Sequence, residues 1–235
     1  TSTLKVDSSN NRVGVGTASP SNKFEVDGGS AETRLRVSTT GTDANEAGII
    51  LANSSKSADN DGIEISHGGG YTSFRGLTGT EYMRILGGTG IITKPLQPAF
   101  MAKLSADQNN VNNDSNHQTL QFANEIFDQN ADFNTSNYTF TAPVTGRYQL
   151  NVAVYLLNVD ISADFFYISL LCSNNSAFFI VDPNFSADMN YFHVGGAVLM
   201  DMDASDTAKL TYVQAAGAAQ TDIQTNSYFS GYLVC

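Results

Sequence analysis

The chain has 235 residues, a formal net charge of −11 and 41% hydrophobic residues, including ten tyrosines and fourteen phenylalanines. Its length admits one large all-β domain or two smaller units. The acidic balance, without any Lys/Arg cluster, sets aside nucleic acid and anionic membrane, because phosphate binding requires cations. Membrane insertion is set aside too, since no apolar run approaches spanning length and no leader pattern is present. The start at Thr1 reads as a fragment or processed product, and Cys172 and Cys235 read as two free thiols without metal-ligand spacing.

Composition divides the chain. Residues 1–93 hold fifteen of the twenty glycines but four of the twenty-four Phe and Tyr residues, and residues 94–235 hold the remaining five and twenty. The second region can bury a sizeable core, whereas the first has few large side chains for its length and needs partners. We therefore expect a glycine-rich β stem over 1–93 and a globular head over 94–235.

In the stem, short runs with period-2 alternation predict strands: Leu4 and Val6, Val13 and Val15, Phe24 and Val26, each run bounded by turn residues. Gly14 and Gly16 lie inside such a run, where glycine is tolerated if another backbone comes close, and several chains wound together would supply one. "AGIILANS" (47–54) and "DGIEISHGGG" (61–70) add two strands. "YMRILGGTGIITKP" (82–95) aligns with "TLKVDSSNNRVGVGTASP" (3–20): Met83 on Leu4, Gly90 on Gly14, Pro95 on Pro20. Val13 to Pro20, "VGVGTASP", followed by "SNKFEVDGG", resembles the repeats of bacteriophage tail fibre shafts. That resemblance implies a trimeric, intertwined β stem.

From Lys94 onward the predicted strands are "QPAFMAKL", "TLQFANEIFD", "YTFTA", "GRYQLNVAVYLL", "DFFYISLLC", "AFFIV", "YFHVGGAVLM", "AKLTYVQA" and "NSYFSGYLV". Short strands at near-regular spacing without helical periodicity predict a β-sandwich or jelly roll. In "NYTFTAPVTGRYQL" (137–150), Phe140 closes one strand on the core side, Pro143 fixes φ, and Gly146 opens the next strand. Tyr148, Leu150, Val152, Val154 and Leu156 then share one face, with Arg147, Gln149, Asn151, Ala153, Tyr155 and Leu157 on the other.

The "F-T-A-P-V-x-G-x-Y" pattern resembles the signature of the C1q-like domain of the tumour necrosis factor superfamily. Phe127, Asn130, Tyr138, Phe140, Pro143, Gly146 and Tyr148 fall in its expected order, with "PAFMAKLS" resembling the family's first strand and "SYFSGYLV" its last. Ala204 and Ser205 before Asp206 depart from the family's usual glycine. The resemblance implies a ten-strand jelly roll that assembles as a homotrimer. Strands apolar on both faces point the same way and give candidate interface residues: Tyr155, Phe165, Tyr167, Tyr228 and Tyr232.

Catalytic chemistry finds little footing. The only histidines are His67, His117 and His193; His67 reads as a turn residue and His193 as a core or interface residue, and there is no G-x-S-x-G, zinc spacing or phosphate loop. Asp201, Asp203 and Asp206 offer hard oxygens for calcium, which some relatives of the domain hold, though aspartates in a turn also bond their own backbone. Asn- and Asp-rich loops over 105–118, 127–137 and 181–190 offer Asn110, Phe133, Asn184 and Phe185 for recognition by hydrogen bonding and stacking. The expectation is a non-enzymatic, trimeric receptor-binding protein at a tail fibre tip of the virion, joined to upstream fibre segments and binding a host-surface glycan or protein. A trimerisation and folding cap, or a secreted C1q-like lectin, are the alternatives.

Overall fold

The computed structural model describes residues 4–27, 38, 47–52, 58 and 62–235. Among them every regular element is a strand. The chain forms two compact units, Thr1–Ile92 and Thr93–Cys235. The predicted segment ends at Thr3, 28–29, 53–54 and Asp61 lie outside the described residues.

In the first unit, β1 (Leu4–Asp7) and β2 (Arg12–Val15) form an antiparallel hairpin, and β3 (Phe24–Val26) joins β2 in parallel. The "VGVGTASP" glycines have a reason within the chain itself. A Cβ at Gly14 would meet Thr17 Cγ2 at 2.8 Å and Pro20 Cβ at 3.2 Å, and Gly16, at φ +79°, packs on the Asp27 carbonyl. The motif folds its own turn back over the strand.

A five-stranded antiparallel sheet follows, in the order β4 (Ala47–Ala52), β5 (Gly62–Gly68), β6 (Tyr71–Gly76), β7 (Glu81–Leu86), β8 (Ile92–Thr93). The alternation did not reveal β6, where Ser73 and Arg75 stand among small residues. Ser73 faces Ser66 across the ladder at 3.1 Å, and Arg75 Nη2 donates to Ser66 Oγ at 2.8 Å. The two aligned segments each form a hairpin, but not in the aligned register: Gly14 sits inside β2 opposite Lys5, whereas Gly90, at φ 70°, lies in the turn before β8, where Leu86 N–H donates to Ile91 O at 2.9 Å. His67, expected in a turn, lies in β5 and bonds Thr72 Oγ1 at 2.9 Å across to β6.

The second unit is a sandwich. One sheet runs β11 (Asn124–Asp128), β9 (Ala99–Lys103), β20 (Tyr228–Leu233), β14 (Gly146–Val159), β17 (Met189–Met202), with β19 (Asp222–Ile223) also on β14. The other runs β12 (Phe133–Asn134), β13 (Thr139–Thr141), β18 (Thr207–Ala215), β15 (Phe165–Cys172), β16 (Ser176–Val181), with β10 (Gln118–Thr119) also on β18. Five strands in each main path make the ten of a jelly roll.

One expected strand divides. "TLQFANEIFD" sends its first residue, Thr119, with Gln118 before it, to β18 and Asn124–Asp128 to β9, because Phe122 N–H donates back to Leu120 O at 3.1 Å and both side chains are buried between the sheets.

The alternation along β14 is realised: Tyr148, Leu150, Val152, Val154 and Leu156 are all buried. Phe100 lies at the centre, stacked on Phe140 (4.7 Å) and Phe133 (5.0 Å) with Phe229 edge-on (5.0 Å). Each such ring contributes about 1.5–3 kcal/mol by leaving water. The Tyr148 hydroxyl donates to Val144 O at 2.8 Å, fastening the Pro143–Thr145 turn to the strand it precedes. Gly231 keeps β20 flat under this core, since a Cβ there would meet Phe100 Cε1 at 2.9 Å and Leu150 Cδ2 at 2.5 Å.

Candidate functional site

Strand register sorts the loops of the head between two ends. Tyr232 pairs with Ala99 and Tyr148 with Leu233, so Thr93–Pro98, the 129–132 loop, the Pro143 turn and Cys235 share one end. Val159 pairs with Met189 and Phe165 with Ala215, so the 105–116, 182–188 and 216–226 segments meet at the other end, which we term the far end.

The far-end loops are held by buried polar anchors. Asp160 is 4% exposed and accepts the amides of Ser162 (2.8 Å) and Ala218. Burial alone would raise its carboxyl, but these amide donors outweigh it and hold the group below the usual carboxylate range. Gln214 Nε2 donates to Ala216 O (3.0 Å) and Ala218 O (2.9 Å), and the turn passes through Ala216 (φ 59°) and Gly217 (φ 73°). From the other side, Gln108 and Ile223 exchange two backbone bonds of 2.9 Å, drawing the 105–111 segment onto β19.

Between these loops lies a cleft of about 620 Å³ walled by Asn109, Asn110, Asn158, Asp188, Asn190, Gln220 and Asp222. Asp222 accepts from the Asn110 amide at 2.8 Å and from Asn158 Nδ2 at 3.1 Å. Asp188 accepts from the Ile161 amide at 3.1 Å and from Gln220 Nε2 at 2.9 Å. Asn110 and Asn158 both adopt φ 52°, a conformation asparagine tolerates better than most residues. Beside it a smaller groove of about 320 Å³ is lined by Tyr155, Leu156, Tyr191, Phe192, His193 and Gln224. Leu157 pairs with Tyr191 on one side and Asp222 on the other, which places the groove next to the cleft.

The candidates named from sequence fare unequally. Asn110 stands in the cleft wall. Asn184 and Phe185 lie on the exposed 182–188 loop at the same end, with the Phe185 ring 5.7 Å from Phe192. Phe133 is not a recognition residue: it is 5% exposed, because the short β12–β13 hairpin turns its ring inward onto Phe100.

Asp201, Asp203 and Asp206 do not converge on a shared point. Asp206 accepts from Ser173 Oγ (2.7 Å) and the Asp203 amide (2.8 Å), Asp203 accepts from Thr145 Oγ1 (3.4 Å), and Asp201 is 3.9 Å from Arg147 Nε. No group of three metal-ligating side chains forms among the described residues. Asp203 and Asp206 brace the turn, and Asp201, inside β17, faces Arg147 across the ladder.

The interface candidates fall on two opposite faces rather than one. Tyr155, Tyr228 and Tyr232 point outward from the β14 sheet, in register with Tyr191, His193 and Leu199 of β17. Phe165 and Tyr167 point outward from the β15 sheet, stacked at 5.9 Å, with Phe178 edge-on to Tyr167 at 5.8 Å. His193 is exposed 4.6 Å from the Tyr155 ring, so it belongs to the outer face and not to the core.

Sequence reasoning missed one polar trio. His117 Nδ1 lies 2.8 Å from Thr211 Oγ1 and 3.3 Å from Ser169 Oγ, and the two hydroxyls are 2.8 Å apart and buried. It straps the 105–117 segment to the β15–β18 ladder.

Residues 99–234 match a family model described as C1q domain. Among solved structures, the globular domain of zebrafish complement 1qA protein is 19% identical, covering 59% of this chain and 98% of that one, with a TM-score of 0.42. Murine APRIL at pH 8.0 is 10% identical over 59% and 99% of the two chains (TM-score 0.43). Eiger TNF from S. frugiperda is 14% identical over 59% and 91% (TM-score 0.42). No curated protein sequence matches the chain.

Proposed function

Because the chain belongs to the C1q domain family through residues 99–234, we propose that it is a homotrimeric attachment protein of a tailed bacteriophage. Its C1q-type head binds the host surface at the tip of the virion's tail fibre, and its stem, residues 1–93, continues into upstream fibre segments. Its work is binding rather than catalysis. Three identical heads on one stem raise a weak affinity per site through effective concentration.

The observation that carries the trimer is the outward face of the β14 sheet. Tyr191 is 74%, Leu199 53%, Tyr232 48% and Tyr155 38% exposed on that face, and a lone soluble domain rarely leaves so many large aromatic and apolar side chains in water on one sheet face. Edge residues Phe178 and Ile180 of β16, 52% and 67% exposed, are apolar as well, so one copy offers a face and another an edge. The stem has the same need. Ile49, Ile50 and Leu51 are consecutive and exposed on edge strand β4, so both of its faces require cover. The phage assignment rests on the "VGVGTASP" resemblance.

Sedimentation equilibrium tests the assembly: the expected mass is about 75 kDa, three times the 25.1 kDa chain, and a folded 25.1 kDa monomer overturns it. Competition of the purified protein against phage adsorption tests attachment. Removing residues 94–235 separates the adhesin from a trimerisation cap: a stem that stays trimeric but no longer adsorbs marks an adhesin, and a stem that misfolds marks a cap.

A further inference from the structure

We infer that the far-end cleft of the head is a carbohydrate subsite for glycans bearing free amino groups, and that it excludes uronates and other anionic sugars. The inference rests on the attachment reading and specifies its ligand chemistry.

The argument starts from which atoms the cleft has left to offer. Carboxylates only accept hydrogen bonds, so a side-chain amide bonded to one must turn its nitrogen toward it. Asn158 Nδ2 donates to Asp222 Oδ2 at 3.1 Å, and Gln220 Nε2 donates to Asp188 Oδ2 at 2.9 Å and to the Asn158 carbonyl at 3.2 Å. Both amides thereby spend donors inside the wall and keep their carbonyl oxygens, Asn158 Oδ1 and Gln220 Oε1, as acceptors. Asp188 and Asp222 each retain lone pairs beyond the two bonds they accept. Around Asp188 and Asp222 the wall therefore offers acceptors, while the side-chain amides of Asn109, Asn110 and Asn190 complete it as neutral groups able to donate or accept.

Its complement is a ligand rich in donors. Sugar hydroxyls meet the amide carbonyls, and each carboxylate is open to an ammonium group through a charge-assisted hydrogen bond. None of the seven lining residues is cationic, and the head as a whole carries four Lys/Arg against thirteen Asp/Glu. A uronate or phosphate entering the cleft would find repulsion and no donor charge. The acceptors are fixed before the ligand arrives, since Asp222 and Asp188 also hold the Asn110 and Ile161 backbone amides, so little ordering remains to oppose binding.

Titration calorimetry of the full-length protein at about 0.15 M salt with EDTA present tests this, using chitosan, chitin and galacturonate oligosaccharides of equal length. Saturable binding is expected for the chitosan oligomer, at least tenfold weaker binding for its N-acetylated counterpart, and none for the galacturonate. Oligolysine of equal charge should not displace the sugar. D188N keeps the shape of an exposed side chain and should weaken chitosan about tenfold, the loss of one charge-assisted bond, while the chitin affinity holds. N190K should abolish chitosan binding, with a melting temperature equal to wild type as the check on folding. Equal affinity for the galacturonate, displacement by oligolysine, loss of binding in EDTA, an unaffected D188N, or no saturable chitosan binding would each overturn the inference. A protein that blocks phage adsorption yet ignores chitosan overturns this subsite alone. One that binds chitosan but never blocks adsorption overturns the attachment reading instead.

Discussion

Phe133 gives the sharpest test of how this head is built, because sequence and structure place it in opposite roles. As a recognition residue in a polar loop it would be dispensable for folding; as a ring 5% exposed and stacked at 5.0 Å on Phe100 it is part of the core. Phe133→Ala removes the phenyl ring from that stack, a change that typically costs about 3–5 kcal/mol. The low end applies, because β12 is a two-residue edge strand and its hairpin with β13 can settle partly into the space. Loss of the stacked and edge contacts to Phe100 and Phe229 accounts for roughly 1 kcal/mol of the total. For a domain of this size about 3 kcal/mol lowers the melting temperature by about 10 °C. Scanning calorimetry of the purified variant measures it, with Phe185→Ala as the control. Phe185 is 38% exposed, and its removal should shift the melting point by only about 2–3 °C. If Phe133→Ala melts within about 2 °C of wild type, the ring does not hold the core.

Four further outcomes follow from the same geometry. Tyr155→Asp combined with Tyr232→Asp sets charge on the outward β14 face, and sedimentation should show the trimer replaced by monomer while the circular dichroism of the sandwich persists. Gly231→Val forces a side chain between Phe100 and Leu150, and denaturant unfolding should report a loss of about 1–3 kcal/mol with little change in slope. Asp160 has a folded pKa below its unfolded value, so its stabilisation is present above the unfolded value and fades as pH falls toward the folded one. Asp160→Asn should therefore lower the melting point at pH 7 and narrow its gap from wild type in strong acid. Burial, with Asp206 nearby, pushes the Cys172 thiol up to about 12, while Cys235 is exposed. A thiol reagent at pH 8 should label one cysteine per native chain and both after denaturation.

The head was legible where one physical rule acts alone. Short apolar runs at near-regular spacing located β9, β13 to β18 and β20, and the inward set of β14 from Tyr148 to Leu156 is buried as its alternation requires. The pattern failed where a segment obeys two rules at once. "TLQFANEIFD" alternates well enough for one strand, yet Leu120 and Phe122 are both needed between the sheets, and that demand turns the backbone between them. Phe133 misled for a related reason: Asn and Asp around it signal a solvated loop, and a two-residue strand is too short to announce which way its one aromatic faces. The alternation around the glycines of "VGVGTASP" does not show that Thr17, Pro20 and Asp27 of the same chain already crowd them, because that contact depends on how the turn after β2 folds back.

The cleft shows why a candidate site can stay hidden when the fold does not. Its wall is drawn from positions 109–110, 158, 188–190 and 220–222, separated by up to 113 residues and carrying no spacing that a sequence scan could match. What joins them is strand register: Leu157 pairs with both Tyr191 and Asp222, and Val159 with Met189, so the ends of β14, β17 and β19 must finish together. Register in turn is fixed by the buried face, since a slip of one residue along β14 would drive Gln149, Asn151 and Tyr155 into the core. The positions of the cleft's acceptors are therefore a consequence of core packing some distance away. A core substitution that preserves β14 register and leaves the domain folded should leave the cleft intact, and one that shifts the register should dismantle the cleft and the outward tyrosine face together.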